Sequence, residues 1–242
     1  MKKICVFTQT YSDNRIELFK YHNKDIKDID FRNSFDLNLY SFHNSSPDYI
    51  KKVQQYPYFN NFKNLNFLYY NNISYPETFR LSIYEILKRG YNYIIFLQDD
   101  CFTTNNSDVN SLIEFLYYGN FNMLNLETYG KKLSNELEIN YKKDNFEVYN
   151  SNTEHFKKIG LWAFDDGAYC ANIDFILSEI YDERYFSYKN IWEAERYLNE
   201  KIKNLRTPLE RLTTNLNLYE RFNIVGPNNW NKQEYINRLN EL

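Results

Sequence analysis

Residues 91–100 read Tyr91-Asn92-Tyr93-Ile94-Ile95-Phe96-Leu97-Gln98-Asp99-Asp100, a largely apolar run followed by one glutamine and two acidic residues. The run is apolar on both faces toward its end, which is typical of a strand buried in a parallel sheet. Open α/β sheets bind ligands beyond the carboxyl ends of their strands. Adjacent carboxylates there are poor core residues and suitable ligands for Mg²⁺ or Mn²⁺. The alternative is that Asp99 and Asp100 cap a following helix.

Further apolar runs of strand length lie at 3–8, 36–42, 65–70 and 121–126. Segments of helical character separate the earlier runs, and this alternation predicts a parallel sheet with right-handed crossovers. The clearest helix precedes the strand that ends at Leu97. Ser74 and Glu77 predict its capping box, and Gly90 predicts its end. We therefore expect an α/β fold with a mostly parallel, Rossmann-like sheet.

The second half of the chain is less regular. Residues 130–151 are charged and Asn-rich, which favours a surface excursion or a flap, whereas 190–203 predicts a helix. The tail is polar and predicts a short final helix near 233–242. A chain of 242 residues suits one domain with an appended piece. We expect a single domain over 1–203 and a short helical C-terminal extension, 204–242, packed on it.

Composition and charge argue against several functional classes. The net charge of -3 argues against a nucleic-acid binder, including a metal-dependent nuclease. No apolar run is long enough to cross a bilayer. Cys5, Cys101 and Cys170 lack the spacing of a metal site and fit free thiols of a reducing compartment, which predicts a cytoplasmic protein. Aromatic residues make up 19% of the chain, so they must supply much of the core.

Polar side chains follow two more of the predicted strands. Thr8, Thr10, Tyr11 and Arg15 follow the first, and Asn44 follows the second. Hydrogen-bonding groups gathered at one edge of a sheet suit a nucleotide, although such residues also serve as helix caps. No glycine-rich loop follows these strands, which argues against a dinucleotide-binding fold and a P-loop.

In this order the motifs resemble those of GT-A glycosyltransferases, and in particular the family-2 type of nucleotide-sugar transferases, over roughly residues 3–203. In that family the fourth strand ends in a "DXD" motif, and Gln98-Asp99-Asp100 occupies its place with Gln first. The resemblance implies that Asp100 binds the metal and that Asp99 supports the metal or the ribose. It also implies that Arg80 holds the nucleotide or its diphosphate. The alternative for Arg80 is a solvated helix residue.

Two later segments resemble further family motifs. Residues 162–169 resemble the loop over the donor sugar, where Gly167 would let the backbone approach the ligand; the alternative is a tight turn. Residues 191–198 resemble the acidic start of the last core helix, and the alternative is an ordinary charged helix start. In inverting members a carboxylate there accepts the proton of the acceptor hydroxyl, which implies Glu193 as base, with Asp166 as second choice. The histidine that many members place near the end of the core has no match here.

The resemblance implies an enzyme of carbohydrate biosynthesis. It would move a sugar from a nucleotide-sugar donor, a UDP- or GDP-sugar, to a hydroxyl of a glycan, lipid or protein-glycan acceptor, with Mn²⁺ or Mg²⁺. Two alternatives stay open. One is a non-catalytic nucleotide- or glycan-binding protein on a degenerate transferase fold, which Gln98 and the missing histidine favour. The other is a GT-A-like nucleotidyltransferase, which the absence of a glycine-rich loop disfavours.

Overall fold

The computed structural model describes residues 2–10, 26–99, 101–103, 109–126, 139–143, 146–151, 168–204, 209–214 and 219–221. Within these residues the chain forms a nine-stranded sheet with helices on both faces and a separate two-stranded sheet. The expected α/β fold is confirmed.

The strands of the large sheet are β1 (Ile4–Gln9), β2 (Leu37–His43), β3 (Leu65–Tyr70), β4 (Tyr93–Gln98), β6 (Met123–Asn125), β7 (Ile139–Lys143), β8 (Phe146–Ser151), β9 (Ala168–Asn172) and β10 (Leu209–Thr214). The small sheet pairs β5 (Cys101–Thr103) with β11 (Tyr219–Arg221).

The described helices are α1 (Ile26–Asn33), α2 (Pro47–Gln54), α3 (Tyr75–Lys88), α4 (Val109–Tyr118), α5 (Ile173–Phe175), α6 (Glu183–Ser187) and α7 (Ile191–Ile202). A 3₁₀ turn spans Pro57–Asn61, and α5 continues as a π-helical turn over Ile176–Ile180.

The order of the large sheet is β3-β2-β1-β4-β9-β6-β10-β8-β7. Strands β1 to β4 are mutually parallel, and among the described strands of this sheet only β9 and β8 run against the others. The chain moves outward from β1 through β2 to β3 and then returns to the other side of β1 as β4. The strand order therefore reverses between β1 and β4, the position at which open α/β sheets form their ligand crevice.

Alternating strand residues build one core on each face of the sheet. On one face, Cys5 and Phe7 pack with α3, α6 and α7; on the other, Ile4 and Val6 pack with α1 and α4. Aromatic rings fill much of the first core, where Phe7 lies 5.6 Å from Phe79 and Phe96 lies 5.2 Å from Tyr169, measured between ring centroids. Since each buried ring contributes roughly 1.5–3 kcal/mol, these contacts fix the layers that carry the strand ends.

Helix α3 forms as its sequence predicts. The Ser74 hydroxyl accepts from the backbone N–H of Glu77 at 3.3 Å, so the N-cap is present. Phe79, Ile83 and Ile86 are buried on one face. Gly90 has φ +83°, a left-handed conformation that glycine adopts without strain, and it ends the helix.

The expected strands occur within about two residues of their predicted bounds, but several others were missed. Residues 130–151 are not only a surface excursion, because 139–143 and 146–151 form antiparallel strands at one end of the large sheet. The C-terminal part also differs from a purely helical extension. Residues 209–214 join the large sheet between β6 and β8, and 219–221 join the small one. The helix expected near 233–242 lies outside the described residues.

Candidate functional site

The end of β4 lies where the strand order reverses. Gln98 is the register partner of Gln9 on β1, and Asp99, the next residue, is only 1% exposed. Strand β5 begins two residues after Asp99, and its Cys101 pairs with Arg221 of β11. The Gln98-Asp99-Asp100 motif therefore connects the large sheet to the small one, and the C-terminal part of the chain contributes to its surroundings.

The two threonines at the end of β1 are buried and tie neighbouring segments together. The Thr8 hydroxyl accepts from Arg32 Nη1 on α1 at 2.9 Å. The Thr10 hydroxyl accepts from the backbone N–H of His43 at 3.4 Å and lies 3.5 Å from the Ser45 hydroxyl. Both side chains lie at the predicted edge, where their present role is to join the end of β1 to α1 and to the end of β2.

Gln9 was not predicted as a site residue. Its side chain is fully buried, and Nε2 donates to the carbonyl of Tyr75 at 3.1 Å, which fixes the orientation of the amide. Among the residues that the structure describes, no donor lies within hydrogen-bonding distance of its Oε1 atom. A buried acceptor without a partner costs about 1–3 kcal/mol, so the Gln9 amide is only half satisfied at the end of β1.

Asn44 bridges the end of β2 to the loop before α3. It has φ +48°; its Nδ2 donates to the carbonyl of Ile73 at 2.9 Å, and its Oδ1 accepts from the N–H of Asn72 at 2.7 Å. Asn44 was predicted to bind the nucleotide. The structure instead engages both ends of its amide within the protein, so any contact to a ligand would add to a structural role.

His43 is a neutral histidine held between two partners. Asn44 Nδ2 lies 3.2 Å from its Nε2, and Nδ1 lies 2.9 Å from the Thr78 hydroxyl. Because the amide nitrogen of Asn44 can only donate, the hydrogen-bond network assigns the proton to Nδ1. Burial lowers the pKa of His43 to about 4, so the ring is uncharged at neutral pH.

Arg80 binds two carboxylates between α3 and α6. Its Nη2 lies 2.7 Å from Glu77 Oε1 and its Nη1 lies 3.2 Å from Glu183 Oε2, and its guanidinium lies 5.2 Å from the centre of the Phe186 ring. The hydrogen bond to Glu77 raises the pKa of Arg80. The two carboxylates engage Nη1 and Nη2 but not all five N–H donors of the guanidinium, and the contact to a diphosphate stays a prediction.

Glu193 lies exposed in the first turn of α7. The Asn190 side chain accepts from the N–H of Trp192 at 2.9 Å and so caps this helix. The indole of Trp192 is 50% exposed, which is unusual for so large an apolar group. Trp192 and Glu193 are therefore neighbouring exposed residues in the first turn of α7.

The remaining predicted site residues lie outside the described part of the chain; they are Tyr11, Arg15, Asp100, Asp166 and Gly167. Among the residues whose positions are described, no group of three or more His, Cys, Asp or Glu side chains could hold a metal ion. In the same residues, no helix is long and apolar enough to span a membrane. Cys5 and Cys170 are buried free thiols, and burial raises the pKa of both.

Arg32 is the second buried polar residue that the sequence did not indicate as part of the site. It lies in the last turn of α1, where a basic side chain is common for reasons of helix electrostatics alone. Its burial depends on the packing of α1 against β1, where its partner Thr8 lies 24 residues earlier in the chain. No signal in the sequence distinguishes it from the exposed arginines.

Comparisons with known proteins identify solved structures with a similar fold but assign the chain to no family. No family model matches the chain, and no curated protein matches it. Among solved structures, HddC from Yersinia pseudotuberculosis superposes with a TM-score of 0.54 at 10% identity, covering 100% of this chain and 99% of that one. At this identity the match shows a shared fold.

Two other similar structures superpose with lower scores. Mannose-1-phosphate geranyltransferase from Thermus thermophilus has a TM-score of 0.47 at 10% identity, covering 90% of this chain and 76% of that one. Mannosyltransferase PcManGT from Pyrobaculum calidifontis, in complex with GDP-Man and Mn²⁺, has a TM-score of 0.47 at 10% identity, covering 72% and 45%. The narrower likeness to the family-2 type of transferases stays a prediction.

Proposed function

We propose that this protein is a glycosyltransferase that moves a sugar from a nucleotide-sugar donor to a hydroxyl acceptor, with a divalent metal. The observation that carries the proposal is the position of Gln98-Asp99 at the end of β4, beside β1, where the strand order reverses. Ligands of open α/β sheets bind at this point. Asp99 is 1% exposed there, and a buried carboxylate must be compensated by hydrogen bonds or by opposite charge, which makes this strand end chemically distinct from an ordinary core.

Asp100 is the residue that would hold Mn²⁺ or Mg²⁺, with Asp99 next to it. Carboxylate oxygens are the ligands that both ions prefer, and each ion commonly completes its coordination with phosphate oxygens and water. When bound, such an ion supplies positive charge that stabilises the departing nucleoside diphosphate. Mannosyltransferase PcManGT, which binds GDP-Man and Mn²⁺, illustrates that pairing in another protein.

The nucleotide would lie along the ends of β1 and β2. Thr8, Thr10 and Asn44 set the positions of these strand ends through their internal hydrogen bonds, and Tyr11 and Arg15 continue from β1. The unused acceptor of Gln9 would take an N–H or O–H donor of the nucleotide. Gly167 would let the backbone approach the donor sugar, and Arg80 would bind the diphosphate.

Glu193 is the proposed general base. The acceptor hydroxyl would lose its proton to the Glu193 carboxylate while its oxygen attacks the anomeric carbon of the sugar and the nucleoside diphosphate departs. Strand β10 re-enters the sheet parallel to β4, so we expect the preceding helix α7 to start on the side of the strand carboxyl ends. The exposed indole of Trp192 offers a flat apolar face for an acceptor sugar. Asp166 is the second candidate for the base.

One observation favours a second candidate, a binding protein without turnover. Gln98 stands where the related motif has an acid, and an amide is a weaker metal ligand than a carboxylate. Such a protein would bind a nucleotide sugar at the same crevice and leave it intact.

Donor turnover separates these functions. The protein is incubated with UDP-sugars and GDP-sugars with and without Mn²⁺, and release of nucleoside diphosphate is measured by chromatography. A transferase without its acceptor should release it slowly by transfer to water, and Asp100→Asn should stop the release. The matched control is Asp174→Asn, which changes an exposed aspartate in α5. Binding of donor without release would support the second candidate. Formation of pyrophosphate from a nucleoside triphosphate and a sugar phosphate would instead indicate a nucleotidyltransferase.

A further inference from the structure

Two charged side chains are buried among the residues that the structure describes. Arg32 is 5% exposed and Asp99 is 1% exposed. They carry opposite charges and belong to different elements, α1 and the end of β4. A charge is stable in a protein interior when an opposite charge and hydrogen bonds compensate the lost hydration.

Arg32 contacts the sheet on the face that also carries Leu97. Arg32 Nη1 donates to the Thr8 hydroxyl at 2.9 Å, and Thr8 is the register partner of Tyr40 on β2 and of Leu97 on β4. Asp99 directly follows the last residue of β4, and extending the alternation of side chains one residue past the strand puts position 99 on the face of Leu97. The guanidinium thus lies over β1, between β2 and the end of β4.

The hydroxyl of Tyr40 lies within electrostatic reach of both charges. Burial raises the pKa of Tyr40 most, Tyr49 and Asp99 raise it further, and Arg32 lowers it. Tyr40 lines the same small cavity as Thr8 and Arg32, so the guanidinium lies on the side of β1 that faces Tyr40.

The backbone and the surroundings of Arg32 fix its position. Its carbonyl accepts from Asn38 Nδ2 at 3.0 Å and from the N–H of Phe35 at 3.3 Å. Tyr58 and Phe59 of the 3₁₀ turn line the same small cavity as Arg32 and Thr8. These rings limit access of water, which strengthens interactions between charges there.

We propose that Arg32 is the counterion of Asp99 and a positioning residue of the candidate site. It holds the Asp99 carboxylate inward at the end of β4 and thereby fixes the backbone at the point where the strand ends. Only the identity of the site's ligand rests on the proposed function; the pairing of Arg32 with Asp99 does not.

A double-mutant cycle tests the pairing. Arg32→Met, Asp99→Asn and the double variant are unfolded in urea. Each single change leaves one buried group without its partner. Both single variants should therefore unfold at a clearly lower urea concentration than the wild type. The double variant should lose much less free energy of unfolding than the sum of the losses in the two single variants. Additive losses would overturn the proposal.

The cycle has a matched control and a fallback. Arg89→Met with Glu85→Gln removes a surface ion pair of 2.8 Å and should show almost no coupling. If Arg32→Met does not fold, the double variant decides the question. Recovery of folded protein supports the pairing, and failure to recover it contradicts the pairing.

Hydrogen exchange tests the positioning role. In Arg32→Met, the amides of residues 93–103 should exchange faster than in the wild type. Each protein is measured at a urea concentration that lies equally far below its own unfolding midpoint. Arg32→Lys, which keeps the charge, should restore part of the protection, and Arg89→Met should change nothing there. A uniform increase along the chain would show a general loss of stability and overturn the positioning role. Failure of the wild-type protein to bind any nucleotide would contradict the proposed function and leave both results valid.

Discussion

Gln9 and Gln98 are register partners at the ends of β1 and β4, and both side chains are buried. Their strands are adjacent in space although more than a third of the chain separates the end of one, Gln9, from the start of the other, Tyr93. This adjacency creates the point where the strand order reverses, and it brings the unused acceptor of Gln9 next to the acidic motif. The sheet topology thus gathers the residues to which we assign binding of the donor.

Glu193→Gln should reduce donor hydrolysis by roughly 10²–10⁴-fold, because the carboxylate would also accept the proton of a water that replaces the acceptor. Stability should not change, since the side chain is exposed. Chromatography of the released nucleotide measures the rate. Glu179→Gln, at another exposed helical position, is the control. Full activity of Glu193→Gln would exclude it as the base and direct attention to Asp166.

Asn44→Ala should lower the free energy of unfolding by about 2–3 kcal/mol, because it removes two hydrogen bonds to backbone groups and strains a residue at φ +48°. Asn44→Gly should cost about 1 kcal/mol less, since glycine accepts this conformation. Urea unfolding measures both. Asn72→Gly, at φ +61°, is the control. Equal losses for alanine and glycine at position 44 would show that strain plays no part.

Acid should destabilise the protein partly through His43. Its folded pKa, lowered by burial to about 4, lies below the ordinary value of 6.5, so the unfolded chain binds the proton more tightly. The contribution of neutral His43 to the free energy of unfolding is fully present above pH 6.5 and is lost as the pH falls toward 4. The shift in pKa corresponds to an upper limit of about 3 kcal/mol of stabilisation. The actual contribution is smaller because the ring is only half-buried and solvent screens it. Urea midpoints should fall more for wild type than for His43→Gln as the pH is lowered from neutral toward the folded pKa. Parallel curves would contradict the assignment.

Arg80→Gln should lower the free energy of unfolding by about 1–2 kcal/mol, because the half-buried guanidinium loses two carboxylates and its position over Phe186. Glu183→Gln should change it by no more than about 0.5 kcal/mol, because its side chain is 84% exposed. Thermal unfolding of both variants measures the difference. A larger loss for Glu183→Gln than for Arg80→Gln would show that the outer carboxylate is the essential partner.

The sequence predicted those parts of the fold that depend on local patterns. Strand β4 and helix α3 carry strong signals, a continuous apolar run in one and a capped amphipathic pattern in the other. The sequence of strand β10 carries no such signal. Leu209–Thr214 forms a strand through its pairing with β6 and β8, which a local pattern does not reveal. The sequence also placed the motif at the end of β4 correctly. It missed the burial of Arg32 and the role of Asn44, because both depend on contacts between segments that are distant in the chain.

Metal-dependent binding of a nucleotide tests the central claim most directly. The melting temperature is measured with UDP, GDP, CDP and dTDP, each with and without Mn²⁺, for wild type and for Asp100→Asn. A nucleotide at a hundred times its dissociation constant adds about 2.7 kcal/mol, which raises the melting temperature of a domain of this size by roughly 5–10 °C. We expect such a rise with UDP or GDP, only in the presence of Mn²⁺, and its loss in Asp100→Asn. No rise with any of the four nucleotides, or an equal rise in Asp100→Asn, would contradict the proposed donor site.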